Sequence, residues 1–208
     1  MKTQAEVAVP AGGRELAAIL TLPDRARGIV LFAHGSGSSR HSPRNRMVAE
    51  HLDAGGYGTV LMDLLTADED STELRFDIGL LADRLVAVLD WLPDVAALPT
   101  GLFGASTGAA AALVAAARRP AAVGAVVSRG GRPDLAANAL ASVRAPTLLI
   151  VGGDDSAVIE LNEQAAVLLG AAAQLTIVPG ATHLFAEPGA LEEVSRLARE
   201  WFDRHLRP

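Results

Sequence analysis

A chain of 208 residues that is half hydrophobic and one-fifth charged, with a mean hydropathy of +0.29, carries enough apolar side chain to bury a core. That excludes a disordered chain. Eighteen basic against 24 acidic residues leave a net charge of −6, so the basic footprint required by nucleic acid or an anionic membrane is missing and neither is expected as a partner.

The absence of cysteine removes disulfides, thiolate nucleophiles and cysteine-ligated metal together. The longest apolar run, Ala109–Ala117, ends at Arg118 and Arg119, well short of the ~18 residues a bilayer span needs. Residues 1–10 contain no basic stretch followed by an apolar one, so no export signal is read and a cytoplasmic location is expected. With no internal repeat and no long linker, one domain over residues 1–208 is expected.

In chain order, Gly12 and Gly13 separate two strand-like runs, Glu6–Pro10 and Arg14–Thr21, and suit a hairpin turn that needs positive φ. Short apolar runs follow at Gly28–His34, Gly58–Asp63, Thr100–Ala105, Ala122–Ser128, Thr147–Val151 and Gln174–Val178. They are continuous rather than alternating, as strands buried on both faces of a parallel sheet are. Helical stripes lie between and after them: Leu81, Leu85, Val88, Leu89 and Leu92; Val158, Leu161, Ala165 and Leu168; Leu191, Val194, Ala198 and Trp201. The pattern predicts an α/β fold with a doubly wound, mostly parallel sheet flanked by helices and opened by an antiparallel hairpin. Its functional residues should lie just past the strands' carboxyl ends.

Four segments at such ends carry candidate chemistry. Gly104-Ala105-Ser106-Thr107-Gly108 joins a strand directly to an alanine-rich helix. This GxSxG spacing forces a sharp turn that lifts Ser106 clear of the sheet, and the flanking glycines avoid the collision that side chains would cause. Ala33-His34-Gly35-Ser36-Gly37 can present the Ser36 backbone N–H opposite that of Thr107, making an oxyanion hole, with His34 holding the loop. A dinucleotide fingerprint is the rival reading of this loop, and it lacks its third glycine. Gly152-Gly153-Asp154-Asp155 offers an acid to orient a histidine. Asp155 is preferred over Asp154 because its distance from the strand suits that role, and Asp63 is a weaker alternative. Pro179-Gly180-Ala181-Thr182-His183 places a general base in a loop, which His41, His51 and His205 do less well. The order Ser106, Asp155, His183 is that of a nucleophile–acid–base set on an α/β sheet.

The runs FAHGSGSSRHSPRN (32–45), SRGGRPD (128–134), VGGDDSAVIELN (151–162) and VPGATHLF (178–185) carry a resemblance to the α/β-hydrolase superfamily over nearly the whole chain, nearest to its small dienelactone-hydrolase-like branch. Some members of that branch are fused to a phosphoribosyltransferase, for which 208 residues leave no room. True dienelactone hydrolases use a cysteine nucleophile where this chain has Ser106, so lactone specificity is not implied.

The expected activity is hydrolysis of a small ester-type substrate (carboxylester, lactone or thioester) through an acyl-enzyme, with no metal and no organic cofactor. Acyl transfer to another acceptor, or perhydrolysis, would use the same residues. Residues 129–146 are too few for a helical cap, so an open pocket is expected. Arg129 at a strand end could bind an anionic substrate group, assisted by Arg40 and Arg44; pairing of Arg129 with Asp134 or Asp155 is the competing expectation. A reading from another class is a non-catalytic small-molecule receptor or interaction module that keeps the hydrolase shell.

Overall fold

Gly12 (φ 61°) and Gly13 (φ 82°) turn the chain back on itself, pairing β1 (Lys2–Ala11) with β2 (Arg14–Pro23) antiparallel from Ala11↔Arg14 outward. The structure, a computed structural model, describes residues 2–206. Beyond the hairpin follow β3 (Ile29–Ala33), β4 (Gly58–Met62), β5 (Thr100–Ala105), β6 (Ala125–Arg129), β7 (Thr147–Gly152) and β8 (Ala173–Val178). They form one eight-stranded sheet in the order β1-β2-β4-β3-β5-β6-β7-β8. From β4 to β8 every pairing is parallel, and the hairpin joins them through β2, which meets β4 antiparallel. Every residue of β3 to β7 is buried, as continuous apolar runs require of strands covered on both faces.

Helices α1 (Pro43–Ala54) and α6 (Ala190–His205) cover one face. On the other lie α2 (Ile78–Val95), α3 (Thr107–Arg118), the single turn α4 (Ala137–Leu140) and α5 (Ser156–Leu169). The α2 and α6 stripes read from the sequence are buried in full. Among the described residues no helix is long and apolar enough to cross a membrane.

Two expectations are corrected. The α5 stripe is rotated by one residue: Val158, Asn162, Ala165 and Leu169 are buried, whereas Leu161 is half-buried and Leu168 is 51% exposed. A polar Asn162 can lead the buried face because its amide donates to the carbonyls of Gly131 (3.0 Å) and Val158 (2.8 Å). The β6 strand starts at Ala125 rather than Ala122, because Ala122 N–H still bonds Arg119 O in the turn after α3.

Alanine explains how α3 positions the site. Ala109–Ala112, Ala115 and Ala116 are fully buried, and side chains this small let the helix lie close on the sheet. A Cβ on Gly104 would collide with the Ala109 backbone, and one on Gly108 with the carbonyls of Ala33 and His34. The strand-to-helix turn therefore closes only with glycine at both positions.

Candidate active site

Ser106 is the hinge between β5 and α3, with φ 51° and ψ −119°, a left-handed conformation for a residue that has a Cβ. Such strain costs about 1–3 kcal/mol and persists only where neighbours enforce it. Here they do: Ser106 N–H donates to Arg129 O (3.2 Å), and Ser106 O accepts from Ala109 and Arg132 N–H (3.1 and 3.2 Å). The backbone is tied down, and Ser106 lines a cavity of about 260 Å³.

His183 and Leu184 line the same cavity from the loop after β8, Arg129 from the end of β6, and Ser42, Arg44 and Asn45 from the start of α1. The register Ala33↔Gly104, Ala105↔Arg129 and Gly152↔Val178 sets these strand ends along one edge of the sheet.

His183 Nδ1 lies 2.6 Å from Asp155 Oδ2. Asp155 is the N-cap residue of α5, yet its carboxylate does not cap the helix and turns to the imidazole instead. The pair is part-sheltered, with the side chains 39% and 16% exposed. Asp154 is exposed and its N–H donates to Ala181 O (3.0 Å), so its backbone, not its carboxylate, helps fix the His183 loop. Asp63 binds Arg40, and Asp134 binds Arg132 (2.7 and 2.9 Å), so neither competes for His183.

Two loop contacts lay outside the sequence reading. Glu187 accepts from Thr182 N–H (3.0 Å) and Thr182 Oγ1 (2.6 Å), bracing the residue before His183. These hydrogen bonds hold the Glu187 carboxyl below its usual pKa. Its only sequence signal is a carboxylate five residues after a loop threonine, too common to single out. Gly130, at φ 51°, lies under the imidazole: a Cβ there would stand 3.5 Å from His183 Cε1 and Nδ1.

The expected oxyanion pair is arranged differently. Thr107 is the first residue of α3, so its N–H has no acceptor within the helix. The Ser36 N–H donates to Thr107 Oγ1 (2.9 Å) and is thus engaged. His34 Nε2 accepts from Leu64 N–H (3.1 Å), leaving Nδ1–H to donate to Gly35 O (2.9 Å). The residue holds its loop to the chain just past β4, and burial keeps its pKa below the ordinary value. A second cavity of about 170 Å³, lined by Thr107, Leu64 and Leu81, lies across this loop and shares Gly35, Ser36 and Ser38 with the first.

The three arginines separate. Arg40 is held by Asp63, through both its backbone N–H and its guanidinium, and lies 3.9 Å from Glu6; it does not line the Ser106 cavity, which corrects its expected place beside substrate. Arg44 belongs to the first turn of α1 rather than to a loop. Arg129 is 7% exposed and pairs with neither Asp134 nor Asp155, which are taken by Arg132 and His183. Its guanidinium lies 5.8 Å from the Phe185 ring centroid, and its Nε has no partner. Burial, reinforced by the charge of Arg44, pushes its pKa down to about 10. Among the described residues no cluster of three or more potential metal ligands occurs.

A family model described as the alpha/beta hydrolase fold matches residues 28–149. The crystal structure of a dienelactone hydrolase from Anabaena variabilis is similar over 99% of both chains, with 57% identity and a TM-score of 0.95. Est1E from Butyrivibrio proteoclasticus shares the fold at 16% identity, with a TM-score of 0.83 over 96% of this chain and 98% of its own. A Mycobacterium tuberculosis protein provisionally named a phosphoribosyl transferase is 60% identical over 205 residues, 97% of this chain and 46% of its own. The chain thus spans about half the length of the curated relatives it matches.

Proposed function

The chain belongs to the α/β-hydrolase fold family, in its dienelactone-hydrolase-like branch, and we propose that it is a serine hydrolase of small ester-type substrates acting through an acyl-enzyme. The observation that carries this reading is the 2.6 Å contact of His183 Nδ1 with Asp155. It fixes the tautomer whose Nε2 is free to accept a proton, in a cavity that also holds the strained Ser106.

His183 Nε2 takes the Ser106 hydroxyl proton as Oγ bonds to the carbonyl carbon, and Asp155 stabilises the imidazolium that results. The Thr107 N–H at the positive end of α3 receives the developing oxyanion; the Ser36 N–H joins it once the Thr107 hydroxyl turns away. His183 then gives its proton to the departing oxygen or sulfur, the acyl–Ser106 ester remains, and water activated by the same imidazole releases the acid. The two cavities on either side of the Ser36 loop offer the acyl part and the leaving group separate spaces, and their sizes suit small molecules.

The test is Ser106→Ala. Hydrolysis of p-nitrophenyl acetate should fall by about 10⁴ to 10⁶ in kcat, and a fluorophosphonate should label the parent protein at Ser106 and not the variant. Parent-rate turnover by the variant would remove Ser106 from catalysis, and a parent protein that neither turns over the ester nor is labelled would favour a receptor that retains the hydrolase shell. The name carried by the Mycobacterium tuberculosis relatives belongs to chains of which this one matches 46%. Our reading for this chain rests on its own Ser106 site.

A further inference from the structure

The cavity that holds Ser106 contains more positive charge than acyl transfer needs. Arg44 and Arg129 both line it, and no aspartate or glutamate does. Buried arginines are almost always paired, because an uncompensated charge away from water is costly. The other inward-turned cations of this chain obey that rule: Arg84 is met by Glu69 and the Ala11 carbonyl, and Arg40 by Asp63. Arg129 breaks it. It is 7% exposed, pairs with no carboxylate among the described residues, and has the face of the Phe185 ring as its contact. Arg44 also has a buried Nε without a partner, as do Arg40 and Arg84, but those two are met by carboxylates at their terminal nitrogens and Arg44 makes no ion pair among the described residues.

The surroundings add to the field. The first turn of α1, capped by Ser42, lines the same cavity through Ser42, Arg44 and Asn45, so the positive end of that helix lies beside it. The start of α3 lies alongside at Ser106. Two guanidinium groups and two helix N-termini therefore meet at a cavity that no aspartate or glutamate lines, and the neighbouring Asp155 is engaged by His183. A monoanion would neutralise one guanidinium and leave the other unmatched, whereas a dianion matches the pair. The fork of donors on each arginine fits a tetrahedral oxyanion.

We propose that Arg44 and Arg129 form a subsite for a phosphomonoester dianion, and that the natural substrate is a small ester carrying such a phosphate. Arg129 pairs in register with Ala105, the residue before Ser106, and Arg129 and Ser106 line one cavity of about 260 Å³. The phosphate must then lie only a few bonds from the carbonyl that Ser106 attacks. It stays intact: the bond broken is the ester's carbonyl carbon to oxygen bond, and the P–O bonds only bind. This deepens the reading of Ser106 as the nucleophile and rests on it for the identity of the substrate, but not for the binding of the anion.

The experiment separates the two. Calorimetry with inorganic phosphate near pH 8, where the dianion is the main species, and at constant ionic strength, needs no catalysis. Phosphate should bind at least about tenfold more tightly than acetate, and Arg44→Gln should weaken it at least about tenfold, the loss of one charge-assisted contact. Arg129→Gln repeats the test where it folds, while Arg44 at its half-buried position keeps the test available. In parallel, kcat/KM for 2-acetoxyethyl phosphate should exceed that for 2-acetoxyethanol in the parent, and the ratio should collapse in Arg44→Gln. Equal affinity for acetate and phosphate, no phosphate binding, or an Arg44→Gln protein that binds phosphate like the parent would overturn the subsite. Phosphate binding without any ester turnover would instead overturn the esterase reading and leave the subsite standing.

Discussion

Two neighbouring carboxylates, Asp154 and Asp155, provide the sharpest test of how the site works, because the fold sends them in opposite directions. Asp155 meets His183 at 2.6 Å, while Asp154 faces solvent. Replacing Asp155 by Asn removes a unit charge about 4 Å from the imidazolium that forms as Ser106 loses its proton. At an effective dielectric of ~20 that interaction is worth about 4 kcal/mol. Exposure of 39% and 16% for the two side chains discounts it to roughly 2–4 kcal/mol, or ~30-fold to 10³-fold in rate. If the new amide turns its NH2 toward Nδ1, the imidazole is also forced into the tautomer that cannot act as a base, and the loss approaches ~10⁴. Asp155→Asn should therefore lower kcat/KM for p-nitrophenyl acetate by about 30-fold to 10⁴-fold. Its thermal midpoint should move little, because Asp155 makes no side-chain cap on α5. Asp154→Asn should stay within about twofold, since its role is a backbone N–H to Ala181 O. Equal damage from both variants, or an Asp155→Asn enzyme within threefold of the parent, would refute the assignment of the acid.

Two further outcomes follow from the loops around this pair. Glu187→Ala frees Thr182 and with it the His183 loop; kcat should drop on the order of tenfold to a hundredfold through misplacement of the base, with KM nearly constant. Glu187→Gln, whose amide oxygen still accepts, should recover most of it, and two variants indistinguishable from the parent would remove Glu187 from the mechanism. Burial lowers the His34 pKa, so between that value and about 6.5 the unfolded chain binds the extra proton. Stability is then intact above about pH 6.5 and declines as pH falls below it. Urea midpoints near pH 7.5 and 5.5 should differ less in His34→Asn than in the parent, and an equal difference would clear His34.

The parts of this architecture set by local chemistry were readable from the chain. Gly12-Gly13, the continuous apolar strands and the GxSxG turn each impose a backbone constraint that few alternatives satisfy, and the eight strands and the junction at Ser106 follow from them. What failed to be readable depends on partners distant in sequence. The α5 face turned on Asn162, whose burial becomes affordable only when Gly131 O is brought beside it. Arg40 and Arg129 look alike as basic residues near strand ends. Their different roles come from Asp63, 23 residues from Arg40, and from the absence of a carboxylate lining Arg129's cavity. Likewise, nothing in the HGSG run foretells that the Ser36 N–H meets a hydroxyl 71 residues away.

Two local deficits coincide at one sheet edge, and their coincidence explains why the packing behind them is so constrained. Ser106 is held in a conformation costing about 1–3 kcal/mol, and Arg129 keeps its charge at 7% exposure with no acid beside it. Neither would survive on a loop free to relax, since a small movement would release the strain or hydrate the guanidinium. Relaxation is blocked by close approaches: Gly108 against the carbonyls of Ala33 and His34, Gly104 against the Ala109 backbone, and Gly152 against the Ala181 carbonyl. The fully buried alanines of α3 let the helix press on the sheet without a larger side chain to prise it off. The rest of the fold thus offsets the strain and the unpaired charge before any ligand arrives. On the proposed mechanism, a serine held at the cavity before substrate arrives needs little reorganisation to react, and on the proposed subsite a cation held largely out of water gains strongly from an anion.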